Sequence, residues 1–140
     1  MSATAIARPA RQWTAEAFSA FWARPDPSRL PGVLSILTDD IVGYWPAPIG
    51  TVRGTDAYMQ VLADILAACP DFSLVAAEYA ADGDFHFVRW IATGTGPDGP
   101  FECTGCDRVR TRDGLVCENY IFCNDPVFAR AVARQDAPAA

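Results

Sequence analysis

CTGCDRVRTRDGLVCENYIFCND, residues Cys103 to Asp125, decides how this chain is read. It scans as two strands joined at Arg112-Asp113-Gly114, and Asp-Gly between apolar runs is a strong hairpin signal. On the first strand the odd positions are Phe101, Cys103, Gly105, Asp107 and Val109, and the even ones Glu102, Thr104, Cys106, Arg108 and Arg110. Side chains alternate faces along a strand, so Asp107 falls on the apolar, inward phase. An ionised carboxylate there is unfavourable unless it is paired, and burial raises its pKa. Asp107 is therefore either a working acid or a partnered structural one.

The turn sets the register. A two-residue Asp-Gly loop would put Asp107 opposite Tyr120, and a three-residue loop with Gly114 left-handed would put it opposite Asn119. The second strand's odd positions (Leu115, Cys117, Asn119, Ile121, Cys123) are mostly apolar and match the inward phase of the first. The three-residue loop brings these two faces together, and Asn119 is then expected beside Asp107.

Working outward, Phe72 to Ala80 and Phe85 to Thr95 read as two more strands around Asp82-Gly83-Asp84, with a Gly96–Pro100 loop after them. Ile41 to Pro46 is a short strand and Ala47 to Gly54 a Pro/Gly loop. Three helices fall in the first half. Thr14 caps one carrying Phe18, Phe21 and Trp22; Ser28 caps a short one carrying Leu30, Val33, Leu34 and Leu37, with Pro31 in its first turn. The third runs from Thr55 to Ala68 with Tyr58, Val61, Leu62, Ile65 and Leu66 on one face. Pro126 to Arg134 reads as one or two helical turns. Residues 1–12 form an Ala/Arg/Pro-rich arm, 13–135 one domain and 136–140 a tail. The order α-α-β-α-β-β-β-β argues an α+β fold, an antiparallel sheet with the helices on one face.

Composition narrows the function. At 140 residues the chain holds one core, and a net charge of −6 with no basic run leaves no footprint for nucleic acid. No apolar run is long enough for a membrane span, and MSATAIARPARQW lacks the apolar stretch of a secretory signal, so a cytoplasmic protein is expected. Five cysteines (Cys69, Cys103, Cys106, Cys117, Cys123) then read as reduced thiols. Cys103 and Cys106 have metal-like spacing, but three steps along a strand send their sulfurs to opposite faces, and no second ligand pair matches. No metal is expected.

Three motifs resemble the nuclear transport factor 2-like superfamily, in its SnoaL-like polyketide cyclase and ketosteroid isomerase branches. They are Leu37-Thr38-Asp39-Asp40-Ile41-Val42 with Val52-Arg53-Gly54-Thr55-Asp56-Ala57; Val88-Arg89-Trp90-Ile91-Ala92-Thr93-Gly94-Thr95; and Asp107 through Val116. The resemblance implies a cone-shaped, curved sheet (the cystatin-like α+β roll) around a deep apolar pocket, and a homodimer built sheet to sheet. It puts Asp107 where the isomerases carry a protonated Asp that donates to the developing oxyanion. It also puts Trp45 at the isomerase base, Phe18 near its helix-one Tyr, and Ile121 at the last-strand Asp of the cyclases and of the epoxide hydrolase-like members.

The expected site is thus an aromatic cavity with few polar groups. Asp107 is the acid or oxyanion donor, Asn119 orients it, and Tyr44 is a second donor. Trp45, Phe18, Trp22, Tyr58, Trp90 and Ile121 form the walls. Apolar walls with a few convergent polar groups suit a small apolar molecule. Cofactor-independent acid/base isomerisation, cyclisation or elimination of a hydrophobic carbonyl or polyketide-like substrate is the leading expectation. A non-catalytic binder of an apolar metabolite is the other.

Overall fold

A computed structural model describes residues 12–123 and Asp125. Helix α1 (Ala15–Ala23) starts where Thr14 accepts the Ala17 amide, 3.0 Å away, and buries Phe18 and Phe21. A 3-10 turn (Pro27–Arg29) leads into the short α2 (Leu30–Leu34). Helix α3 (Thr55–Ala68) spans its expected limits and buries Tyr58, Leu62, Ile65 and Leu66 at one-turn spacing. The strands are β1 (Leu37–Trp45), β2 (Gly50–Arg53), β3 (Ser73–Asp82), β4 (Phe85–Gly96), β5 (Gly99–Arg112) and β6 (Leu115–Cys123), in the sheet order β2-β1-β6-β5-β4-β3. Helices on one face of a curved sheet make the expected α+β fold. The segment Pro126 to Arg134 lies outside the described residues.

Three local expectations need correction. Leu37 belongs to β1 rather than to the second helix: α2 stops at Leu34, and Ile36 already accepts the Val116 amide at 2.8 Å as pairing with β6 begins. The Pro/Gly loop contains β2, which hydrogen-bonds the outer edge of β1 and is too short to show a period between Pro46, Pro48 and Gly54. The sheet is mixed, because β1 runs parallel to β6 while the other neighbours are antiparallel. These two strands are joined through most of the domain, so no hairpin dictates their direction.

The register at the hairpin also differs. Asp113 and Gly114 both have positive φ (55° and 82°), and Arg112 pairs Leu115 across a two-residue turn. Continued unbroken, that ladder would turn Asp107 toward Tyr120. A bulge adds Cys117 to β6 between the Thr111–Val116 and Arg110–Glu118 pairs, so Asp107 faces Ile121 and Asn119 faces Val109. The extra residue restores the inward phase that a two-residue turn alone would have lost. Asn119 is a diagonal neighbour of Asp107, not its direct opposite.

Candidate active site

Gly105 sits directly across from Trp90 on β4, and a Cβ there would run into the Trp90 ring and the Phe122 carbonyl. With only hydrogen at that point, the indole lies against β5 and is 1% exposed. Its Nε1–H reaches along the strand to Asp107 Oδ1, 2.9 Å away. Gly43 serves Tyr58 in the same way. A Cβ on Gly43 would come within 2.9 Å of the Tyr58 ring, so the ring of this α3 residue rests on bare β1 backbone. Gly43 pairs in register with Asn119, which brings the Tyr58 hydroxyl to the Asn119 amide.

The result is a linked polar wall. Asn119 Nδ2 donates to Asp107 Oδ2 and to the Tyr58 hydroxyl oxygen, at 3.0 Å each. Burial pushes the Asp107 carboxyl up to about 6, while the Asn119 and Trp90 hydrogen bonds pull against that rise. Burial also raises the Tyr58 phenol well above its ordinary value, so it stays protonated across neutral pH. Asn119 Oδ1 is buried without a partner among the described residues. Turning the amide over would place that oxygen against the Asp107 carboxylate, so the ionised acid determines the amide's orientation.

This wall closes one side of a cavity of about 430 Å³ beneath α1 and α2. Phe18, Trp22, Trp45 and Tyr58 line it with Asp107 and Asn119, the six expected residues that the fold brings together here. Trp90 and Ile121 border a smaller recess of about 20 Å³ that shares Phe18, Trp22, Trp45 and Asp107 with the main cavity. Tyr44 does not join them. It is the strand neighbour of inward-facing Trp45, so it points through the other face of the sheet, where its ring stacks on exposed Tyr120 at 4.9 Å. Its expected role as a second donor in the pocket is withdrawn on that geometry.

Val33, Leu62, Val109 and Val116, aliphatic side chains with no reactive group to mark them in the sequence, add to the apolar lining, and exposed Arg29 stands at its rim. Trp13 also reaches the cavity. Its amide donates to the Gly114 carbonyl at 2.9 Å and its ring packs on His86 with centroids 4.8 Å apart. His86 in turn meets Tyr79 at 2.9 Å and Thr111 at 3.4 Å, contacts that suit a structural histidine. Cys103 is buried and Cys106 half-buried on the opposite phase of β5, as strand alternation requires. Among the described residues no His/Cys/Asp/Glu group is arranged to hold a metal, and no helix is long and apolar enough to cross a membrane.

Residues 15–119 match a family model described as the SnoaL-like domain. Among curated proteins none matches the chain. Solved structures share the fold at low identity. A protein of unknown function with a cystatin-like fold from Xanthomonas campestris superposes with a TM-score of 0.70 at 23% identity, covering 84% of this chain and 92% of its own. IdmH from Streptomyces antibioticus, a candidate polyketide cyclase, gives 0.69 at 20% identity over 85% and 97%. TerC, co-crystallised with polyporic acid, gives 0.68 at 20% identity over 84% and 95%.

Proposed function

This chain belongs to the SnoaL-like domain family, and from that premise we propose that its cavity houses cofactor-independent acid/base chemistry on a small, apolar carbonyl compound. One observation carries the reading: Asp107, 7% exposed and with its carboxyl raised to about 6, sits in the wall of an otherwise aromatic and aliphatic cavity. A carboxylate of that strength is mostly ionised at neutral pH and still close enough to the working pH to release a proton again. In the reaction it takes the proton from the carbon next to the carbonyl. The C–H bond breaks, its electron pair moves onto the carbonyl oxygen as an enolate, and the proton returns from Asp107 to the same carbon or to another. Isomerisation, cyclisation and elimination all start from that enolate. Similarity to IdmH and TerC supports the fold and is compatible with aromatic or polyketide-like substrates.

The alternative, a non-catalytic binder of an apolar metabolite, is favoured by Trp45 and Ile121. Both residues stand where the resemblance places acids, and they border cavity space with apolar surface. Hydrogen–deuterium exchange at the α-carbon of 2-tetralone in D2O, followed by NMR, separates the two. An enzyme exchanges the ketone, and Asp107→Asn slows exchange by ~10²–10⁴ while 2-tetralone still binds. Binding without exchange, equal in both proteins, establishes the binder.

A second copy of the chain is the proposed partner. The outward face of the sheet carries half-exposed Phe122 and Val75 with Phe87, Tyr120 and the stacked Tyr44. The free thiols Cys69, Cys106, Cys117 and Cys123 suit a reducing compartment, and we place the protein in the cytoplasm on that ground.

A further inference from the structure

Among the described residues, the polar wall contains one hydrogen with no acceptor. Asn119 Nδ2 has two hydrogens; one goes to Asp107 Oδ2 and the other to the Tyr58 oxygen, each at 3.0 Å. Asp107 accepts at both of its oxygens, from Trp90 and from Asn119, and so is held as an acceptor. Tyr58 accepts from Asn119, and among the described residues its own hydroxyl hydrogen has no acceptor. The Tyr58 side chain lines the main cavity. A buried hydroxyl with an idle hydrogen is the complement of a ligand oxygen.

We propose that Tyr58 is the group that hydrogen-bonds the substrate's oxygen, and that Asn119 is the positioning residue that turns the phenol toward it. This rests on the cavity being a small-molecule site and adds the orientation of what it binds. Because both partners hang from one amide nitrogen, the Tyr58 oxygen and Asp107 Oδ2 stand about 5 Å apart. An α-carbon and its carbonyl oxygen are two bonds apart, so one H–C–C=O unit fits between them, oxygen to α3 and carbon to the sheet. Asp107 then handles the proton and Tyr58 stabilises the oxygen that gains charge. In this arrangement the strand acid is not the oxyanion donor that the family resemblance led us to expect, and the donor comes from α3 instead. Gly43 is part of the device, since its missing side chain lets the Tyr58 ring lie low enough on β1 to meet Asn119.

Calorimetric titration with 2-naphthol and with naphthalene tests this, because the two share a ring system and differ by one hydroxyl. Wild type is expected to prefer 2-naphthol by about tenfold, the scale of one well-placed hydrogen bond. Tyr58→Phe is expected to bring the two affinities within about twofold, with naphthalene binding unchanged. Asn119→Leu, near the same volume, is expected to weaken the preference while naphthalene binding reports an intact cavity. A preference that survives in Tyr58→Phe, or its absence from a wild type that binds both compounds, overturns the proposal and leaves the cavity's function standing. Failure of wild type to bind either compound overturns both.

Discussion

At the scale of single residues, Asp107 was legible because its signal is a contradiction: an acid in the inward phase of an otherwise apolar run. Tyr44 was not, although the same rule applies. Trp45 was placed in the cavity, and adjacent strand residues point to opposite faces, so Tyr44 had to leave it. Asp107 also makes a direct claim on stability. Its ordinary carboxyl value is 3.8 and its folded value about 6. Between those values the unfolded chain has already released a proton that the folded chain keeps, so each rise in pH favours unfolding. The stability carried by the neutral acid is complete below about pH 4 and lost as pH rises through about 6, on the order of 3 kcal/mol for a shift of this size. Asp107→Asn stays neutral throughout. Urea denaturation of both proteins from about pH 4 to 7.5 is therefore expected to show the variant gaining on wild type as pH rises. A difference that stays level with pH would mean that Asp107 ionises in the fold as it does in the open chain.

At the scale of elements, α3 and the long strands were readable because their periods run over many residues, while Thr14 marks the start of α1 and Asp-Gly the turn between β5 and β6. The bulge at Cys117 was not. One unpaired residue leaves no mark in a hydrophobic pattern, and here it compensates a two-residue turn so that the faces match anyway. A three-residue turn and a two-residue turn followed by a bulge thus place the same residues inward, so Asn119 lies beside Asp107 in either register, opposite it in the first and diagonal to it in the second. The glycines are the other element-scale device. A glycine inside a strand ordinarily weakens it, yet Gly105 and Gly43 each give an aromatic ring its seat against the sheet. Gly105→Ala is expected to lower stability by about 1–3 kcal/mol, as overpacking does, since both the Trp90 ring and a backbone carbonyl block the new methyl. The structural signature is more specific than the loss. Displacing the indole breaks its bond to Asp107, so the Trp90 Nε1–H resonance is expected to move upfield and exchange faster with solvent. A destabilised variant with that resonance unmoved would show that the ring is seated by something other than the glycine.

At the scale of the molecule, among the described residues the helices cover one face of the sheet and none packs on the other. Tyr120 and Phe122 share the even positions of β6 with Glu118, and Phe122 is 52% exposed. Tyr44, Tyr120 and Phe122 form a stacked series, with centroids 4.9 and 4.6 Å apart across β1 and β6. Val75 on β3, 58% exposed, and Phe87 on β4 extend the apolar surface toward the far edge. Charges of both signs lie among these rings: Arg108 with Glu118, and Arg89 with Glu78 at 2.6 Å. A patch that is apolar at its centre and carries paired opposite charges can meet a two-fold copy of itself without placing like charges together. On that ground the proposed occupant is a second copy of this chain. Sedimentation at tens of micromolar is expected to give twice the monomer mass for wild type. Tyr120→Glu with Phe122→Glu places carboxylates at the centre of the patch and is expected to yield monomers. Both side chains point away from the cavity, so the double variant should still bind naphthalene within about twofold of wild type, a scale well below one lost hydrogen bond. A monomeric wild type would remove the partner and leave an exposed aromatic face to be covered by another molecule. Monomers that also lose naphthalene would show that the two faces of the sheet are not independent, and that pairing helps to hold Asn119 and Asp107 in place from behind.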